Sequence, residues 1–183
     1  MSRRLFSIAL SIIVSSGIVA SYASSYTFAQ TQPVVETKEP TETQIEKIQS
    51  ECSNIKNHLK KLRSNDALMR VNLGQNYETI STRLMANLNV RISTNKLNGA
   101  KLVEKSAEFN ENIGYFRDNY QIYEKELVKL TEIDCTKKPR DFYIQLERVR
   151  YYRSELNFNT TKLAEISKEY KSSLSEFKDK EIK

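Results

Sequence analysis

The chain has no tryptophan, four glycines, three prolines, one histidine and two cysteines in 183 residues. So few turn-formers, beside 28% charged residues, suit long helices rather than a sheet. No CxxC and no Cys/His cluster is present, so no metal site is expected. No glycine-rich phosphate loop, HExxH or GxSxG occurs either. The lone His58 sits among Lys56, Lys60 and Lys61 and reads as a surface side chain. Carboxylates alternate with Lys and Arg along helix faces, as on solvated rods. A paired-carboxylate glycosidase needs a cleft, which a narrow bundle does not offer. The expectation is therefore no enzyme and no cofactor.

What is present begins with an apolar N-terminus. Arg3 and Arg4 precede an apolar run over 5–20 that includes Ile8, Leu10, Ile12, Ile13, Val14, Ile18 and Val19. Ser21-Tyr22-Ala23 or Thr27-Phe28-Ala29 would suit a signal peptidase. The run is short of the ~20 apolar residues of a membrane span. Residues 1–29 are expected to be a signal peptide, with an uncleaved N-terminal membrane anchor as the alternative. On both readings the arginines stay inside and the rest is extracytoplasmic: secreted, periplasmic or at the cell surface. The whole chain carries a formal net charge of +6; removal of Arg3 and Arg4 leaves 27 Lys and Arg against 23 Asp and Glu, or +4. That excess permits contact with anionic surfaces without requiring it. Residues 30–43, with Pro33, Pro40 and several Thr and Glu, are expected to form a flexible linker.

The pattern that organises the remainder lies over 97–133. Leu102, Phe109, Phe116, Tyr123 and Leu130 recur every seven residues, interleaved with Ser106, Ile113, Tyr120 and Leu127. Such 4-3 spacing without a proline predicts a helix with one apolar seam facing partner helices. At ~1.5 Å per residue it is roughly 55 Å long. A first helix over 44–92 is predicted from Ile45, Ile48, Cys52, Ile55, Leu59 and Leu62, with a capping box of Thr43 and Glu46. It should continue through Ser64-Asn65-Asp66, because Asp66 keeps a seam position and Met69 and Leu73 resume the pattern. After Leu73 the phase slips by one residue, and Tyr77, Ile80, Leu84 and Leu88 carry on. A turn over 93–99 separates this helix from the second, over 98–133. Pro139 is read as the breaker before a third helix over 141–179, whose seam is Phe142, Val149, Leu156, Leu163, Tyr170 and Phe177. The tail beyond Phe177 is expected to fray.

The fold class expected is all-α: an elongated antiparallel three-helix bundle or coiled coil over 44–179, tied by one disulfide. Each helix has one stripe and needs the other two to bury it. If the first two helices fold back about residue 95, level residues have numbers totalling roughly 190, and Cys52 and Cys135 total 187. An even cysteine count in an exported chain independently predicts that bond. Closing so long a loop stabilises by roughly 4–5 kcal/mol on the chain-entropy account.

Three further features are candidates for function. A basic end, with Lys56, Lys60, Lys61, Lys137, Lys138 and Arg140, is a candidate contact for an anionic surface such as lipid headgroups or wall polymers, although carboxylates are interspersed. A belt of Tyr115, Phe116, Tyr120, Tyr123, Tyr151 and Tyr152 reads as core with hydroxyls reaching solvent. Gly74 and Gly114 fall at one height, near the poor helix formers of 157–161, and are a candidate hinge or a point of close backbone approach.

Leu73-Gly74-Gln75-Asn76-Tyr77-Glu78, Ile133-Asp134-Cys135 and residues 139–143, set along a two-cysteine helical chain with a signal segment, resemble small exported coiled-coil proteins of the Saccharibacteria type, candidate-phylum bacteria of reduced genome. The resemblance spans roughly 45–177 and implies no site residues. The function expected is a non-enzymatic exported rod, acting as a cell-envelope spacer, adaptor or surface-interaction module. The alternatives are a periplasmic holdase-type chaperone and a regulator docking a cell-wall enzyme. Expected partners are an envelope polymer, a membrane surface, a protein or a second copy of the chain; nucleic acid does not suit an exported protein.

Overall fold

A computed structural model describes residues 39–181. They belong to one compact unit, Val35–Lys183. The expected signal segment or anchor over 1–29, and most of the linker over 30–43, lie outside the described residues.

Helix α1 (Glu42–Ser50) starts two residues earlier than its apolar pattern suggests. Its cap is Thr41, not Thr43: Thr41 Oγ1 accepts from the Gln44 amide at 3.3 Å, and Gln44 Oε1 accepts from the Thr41 amide at 2.8 Å. A reciprocal pair of this kind satisfies two otherwise orphaned donors. The linker boundary moves back accordingly. At Glu51 the backbone departs from helical angles (φ −102°, ψ 12°) for one residue, although its amide still donates to Lys47 O and its carbonyl still accepts from Ile55, before α2 (Cys52–Thr79), which continues through Ser64-Asn65-Asp66.

The phase slip expected after Leu73 lies further along the chain, since α2 stays α-helical to Thr79. Residues Ile80–Met85 form a π-helical turn, followed by α3 (Ala86–Thr94). A π turn accommodates the extra residue within the helical path. It also corrects the seam. Leu84 is 61% exposed, whereas Met85 beside it is 1% exposed. Beyond the slip the seam runs Ser81, Met85, Leu88 and Ile92, not Leu84. Where one helix over 44–92 is expected, the chain therefore forms three helices and a π turn.

The turn to α4 (Ala100–Glu132) needs Lys96 in the left-handed region, at φ 54°. Gly99 lies against Ile92, and a Cβ there would meet Ile92 Cδ1 at 2.6 Å. Helix α5 (Pro139–Glu181) begins on Pro139 itself, which suits a first-turn position because its missing N–H would have no helical partner. Pro139 opens the helix rather than standing before it, and the expected frayed tail is helical to Glu181. The α4–α5 turn is held by Asp134, whose Oδ1 accepts from the amides of Thr136 and Lys137 at 3.1 and 3.2 Å.

The result is an all-α bundle with long-range helix packing and one disulfide, Cys52–Cys135, with Cα atoms 5.6 Å apart. Two apolar clusters fill it. One gathers Tyr123, Leu127, Leu130, Phe142, Val149 and Tyr152 around Cys135. The other gathers Phe109, Ile113, Phe116, Leu163 and Ile166 with Met85 and Ile92. All five heptad residues of α4 are buried; in α5 only Leu156 of the six is partly exposed, and it packs against both clusters.

Two expectations are corrected. The helices do not share burial equally. No Cα of α2 comes within 8 Å of one in α5, although both pack on α4. Between Leu62 and Tyr77 the only buried residue of α2 is Asp66. The membrane expectation also fails among the described residues, where no helix is long and apolar enough to cross a membrane. Each helix carries its apolar stripe on one side and charges around the rest, so no long window stays apolar.

Candidate interaction groove

Cross-helix contacts between the first helices and α4 join rising numbers to falling ones. Cys52 is bonded to Cys135, Arg63 to Glu124, Asp66 to Tyr123, Glu78 to Arg117 and Ser81 to Asn110. The pair totals run from 187 to 195, close to the register expected from apolar spacing.

Because α2 and α5 stand apart on α4, a groove separates them. Its upper part, about 440 Å³, has Leu73 on the α2 side, Leu156 on the α5 side, and Phe116 and Tyr120 of α4 as floor. Its lower part, about 670 Å³, has Ile55, Leu59 and Leu62 on one wall and Tyr143 and Leu146 on the other, and is closed at its end by α1, whose Gln44 donates to the Tyr143 hydroxyl at 3.4 Å. Arg150 lines both. Upstream of Leu73 the α2 lip is apolar: Leu68 is 64% and Met69 52% exposed.

A polar strut crosses the groove floor. Asp66 Oδ2 accepts from the Tyr123 hydroxyl at 2.5 Å and from Arg153 Nε at 3.1 Å, so one carboxylate joins α2, α4 and α5. Burial, then the hydrogen bond to Asp66 and its charge, pushes the Tyr123 phenol well above its ordinary range. The hydrogen bond to Asp66 raises the Arg153 guanidinium against the lowering effect of burial. Arg70 lies over the Tyr120 ring, 4.7 Å from its centroid, where the ring's quadrupole attracts the cation.

A second buried carboxylate, Glu126, joins α4 to α5. It is fully buried and accepts from Lys129 Nζ at 2.6 Å and Gln145 Nε2 at 2.8 Å, with Arg148 at 3.9 Å. Burial works to raise its carboxyl, but these donors and charges outweigh it and hold the group below the usual carboxylate range.

No family model, curated protein or solved structure matches this chain. The chemistry therefore rests on the residues themselves. Among the described residues no group of three or more His, Cys, Asp or Glu is placed to hold a metal. Neither buried carboxylate stands beside a second carboxylate in an acid-base arrangement; each is engaged by cationic or neutral donors. Such pairs set the position of helices.

Of the basic-end candidates, Lys60, Lys61, Lys137, Lys138 and Arg140 are exposed and Lys56 half-buried. Arg140 is engaged by Glu42 at 2.7 Å and Glu39 at 3.8 Å, and Lys137 lies 3.9 Å from Asp134. The disulfide brings this group to one end, where carboxylates neutralise part of it. Lys61 and His58 line the lower groove. At Gly74 and Gly114 an added Cβ would meet nothing within 4 Å, so neither marks a close backbone approach. The tyrosine belt is core at Phe116, Tyr120, Tyr123 and Tyr152, while Tyr115 is exposed and donates to Glu111. Apolar spacing did not single out Arg70, Arg150 and Arg153 as one constellation. The signal for them was Asp66, a charge at a seam position that calls for a partner from another helix.

Proposed function

We propose that the chain is an exported, non-enzymatic helical rod that acts as an adaptor or spacer in the cell envelope. Its arms form an elongated antiparallel three-helix coiled coil: the α1-to-α3 segment, α4 and α5. The observation that carries the reading is the Cys52–Cys135 bond, which ties the start of the first arm to the distal turn with Cys135 buried. A buried disulfide across so long a loop suits an oxidising compartment outside the cytoplasm. The likeness to exported coiled-coil proteins of the Saccharibacteria type belongs with this reading. An open groove and surface charges of both signs suit contact with a partner better than turnover of a substrate.

Non-reducing mass spectrometry with light scattering, on chain recovered from its own host, tests the reading. The expected result is a new N-terminus near residue 24 or 30 and a mass two hydrogens below the dithiol. Free thiols in a chain retained in the cytoplasm would overturn it. A holdase is the second reading, favoured by the exposed Leu68 and Met69 beside the groove. It requires suppression of aggregation of an unfolded client at stoichiometric ratio.

A further inference from the structure

We infer that the groove between α2 and α5 is the seat for one acidic amphipathic helix of a partner protein, which adds a fourth arm to the bundle. The inference rests on the adaptor reading and names the partner's chemistry. The width is the first argument. Helices that pack directly lie 8–10 Å apart, and the α2 and α5 backbones stay apart along their length while both rest on α4. Asp66 and Arg153 bridge the two helices at floor level, so a fourth helix would rest above that ion pair, along the outer edges of α2 and α5. The groove follows α5 from Tyr143 to Thr160, roughly 25 Å at the helical rise. That is about five turns of a docked helix.

The lining supplies the specificity. Ile55, Leu59, Leu73, Phe116, Tyr120 and Leu146 offer apolar contact at helical intervals, the arrangement by which a groove reads the apolar face of a helix. The charged lining is predominantly cationic. Lys47, Lys61, Arg70, Arg150 and Arg153 face Glu51 and Asp66; Asp66 is taken by Arg153 and Arg150 is paired with Glu147 on its own helix, which leaves Lys47, Lys61 and Arg70 against Glu51. The strut does not close the groove, because it lies at floor level: Asp66 is buried and Arg153 is exposed above it. A helix with an apolar face and Glu or Asp along its flanks would match both features. A second copy of the chain matches less well, since the net charge of +4 left after removal of Arg3 and Arg4 opposes a cationic groove.

The test uses a fluorescein-labelled 18-residue peptide with Leu on one helical face and Glu and Gln on the flanks. One control replaces Glu by Lys. The other keeps the composition but scrambles the order so that no face forms. Fluorescence anisotropy with the disulfide-intact chain should show the Glu peptide binding at least about tenfold more tightly than either control, and weakening in high salt as exposed charge pairs are screened. Arg70→Glu with Arg150→Glu should reverse the preference between the Glu and Lys peptides. Both residues are exposed, and circular dichroism checks that the fold is kept. Met69→Ser on the lip, which removes apolar contact without adding charge, should weaken both peptides. Equal binding of the Glu and scrambled peptides, or a preference that survives the charge reversal, overturns the inference. So does a free chain that is dimeric by light scattering and becomes monomeric in the charge-reversed variant, because the groove would then hold a second copy. None of these results touches the N-terminus or the disulfide of the exported chain, so the adaptor reading stands or falls separately.

Discussion

Reduction of the Cys52–Cys135 bond should remove a large part of the stability of this fold. The bond links residues 83 apart in sequence. On the chain-entropy account, closing a loop of that length lowers the entropy of the unfolded chain by an amount worth roughly 4.5 kcal/mol at 25 °C. Against the usual total of about 5–15 kcal/mol for a domain, this is roughly 30% or more of the margin. Reduction is a cleaner perturbation than substitution, since Cys135 is fully buried and a serine hydroxyl there would add a desolvation cost. The assay is urea unfolding followed by circular dichroism at 222 nm, with and without reductant. With a urea slope of about 1–3 kcal/mol per molar, the midpoint should fall by about 1.5–4.5 M. Hydrogen exchange should rise first in α1, whose close backbone neighbours are α2 and α5 alone. A midpoint that moves by less than about 0.5 M after complete reduction would refute the reasoning. It would mean that apolar packing alone sets the register of the first arm.

Three other outcomes follow from the same geometry. Met85→Ala should cost about 2–5 kcal/mol as a buried truncation, while Leu84→Ala should stay within about 0.5 kcal/mol; thermal unfolding of both variants decides whether the π turn shifts the seam, and equal costs would place Leu84 in the core. Glu126 has a lowered folded pKa, so its contribution is present above the carboxylate range and is lost as pH falls through the folded value. Glu126→Gln should therefore flatten the acid limb of urea midpoints measured between pH 2 and 7, and an unchanged slope would mean that other carboxylates carry it. Gly74→Ala and Gly114→Ala should each raise stability by about 0.5–1 kcal/mol, because both positions are helical with open space for a methyl group; a destabilised variant would show that the glycine backbone is needed there.

The legible parts of this fold are those where one period holds without interruption. In α4 and α5 the heptad residues kept their phase, and Leu102, Phe109, Phe116, Tyr123, Phe142, Val149 and Leu163 are all buried. The disulfide register was legible for a different reason: cysteines at equal height in a hairpin are constrained by arithmetic as well as chemistry. The first arm was harder to read. A one-residue slip can be spread over several turns or concentrated in one, and apolar spacing does not distinguish Leu84 from its neighbour Met85 as the residue that resumes the seam. Capping was ambiguous likewise, because Thr41 and Thr43 each stand three residues before a side chain able to complete a box. The groove was the least legible feature. Helical periodicity states which face of a helix is apolar, but not how far that face stands from the next helix. Between Leu62 and Tyr77 the spacing of α2 and α5 reflects what occupies the seam. Asp66 replaces an apolar knob there, and its carboxylate is satisfied by Tyr123 and by an Arg153 side chain long enough to reach across. An ion pair carried on so long an arm holds two helices together at a distance where apolar side chains would draw them into contact. The residue that departs from the heptad rule is thus the one that sets the spacing of α2 and α5 at mid-height.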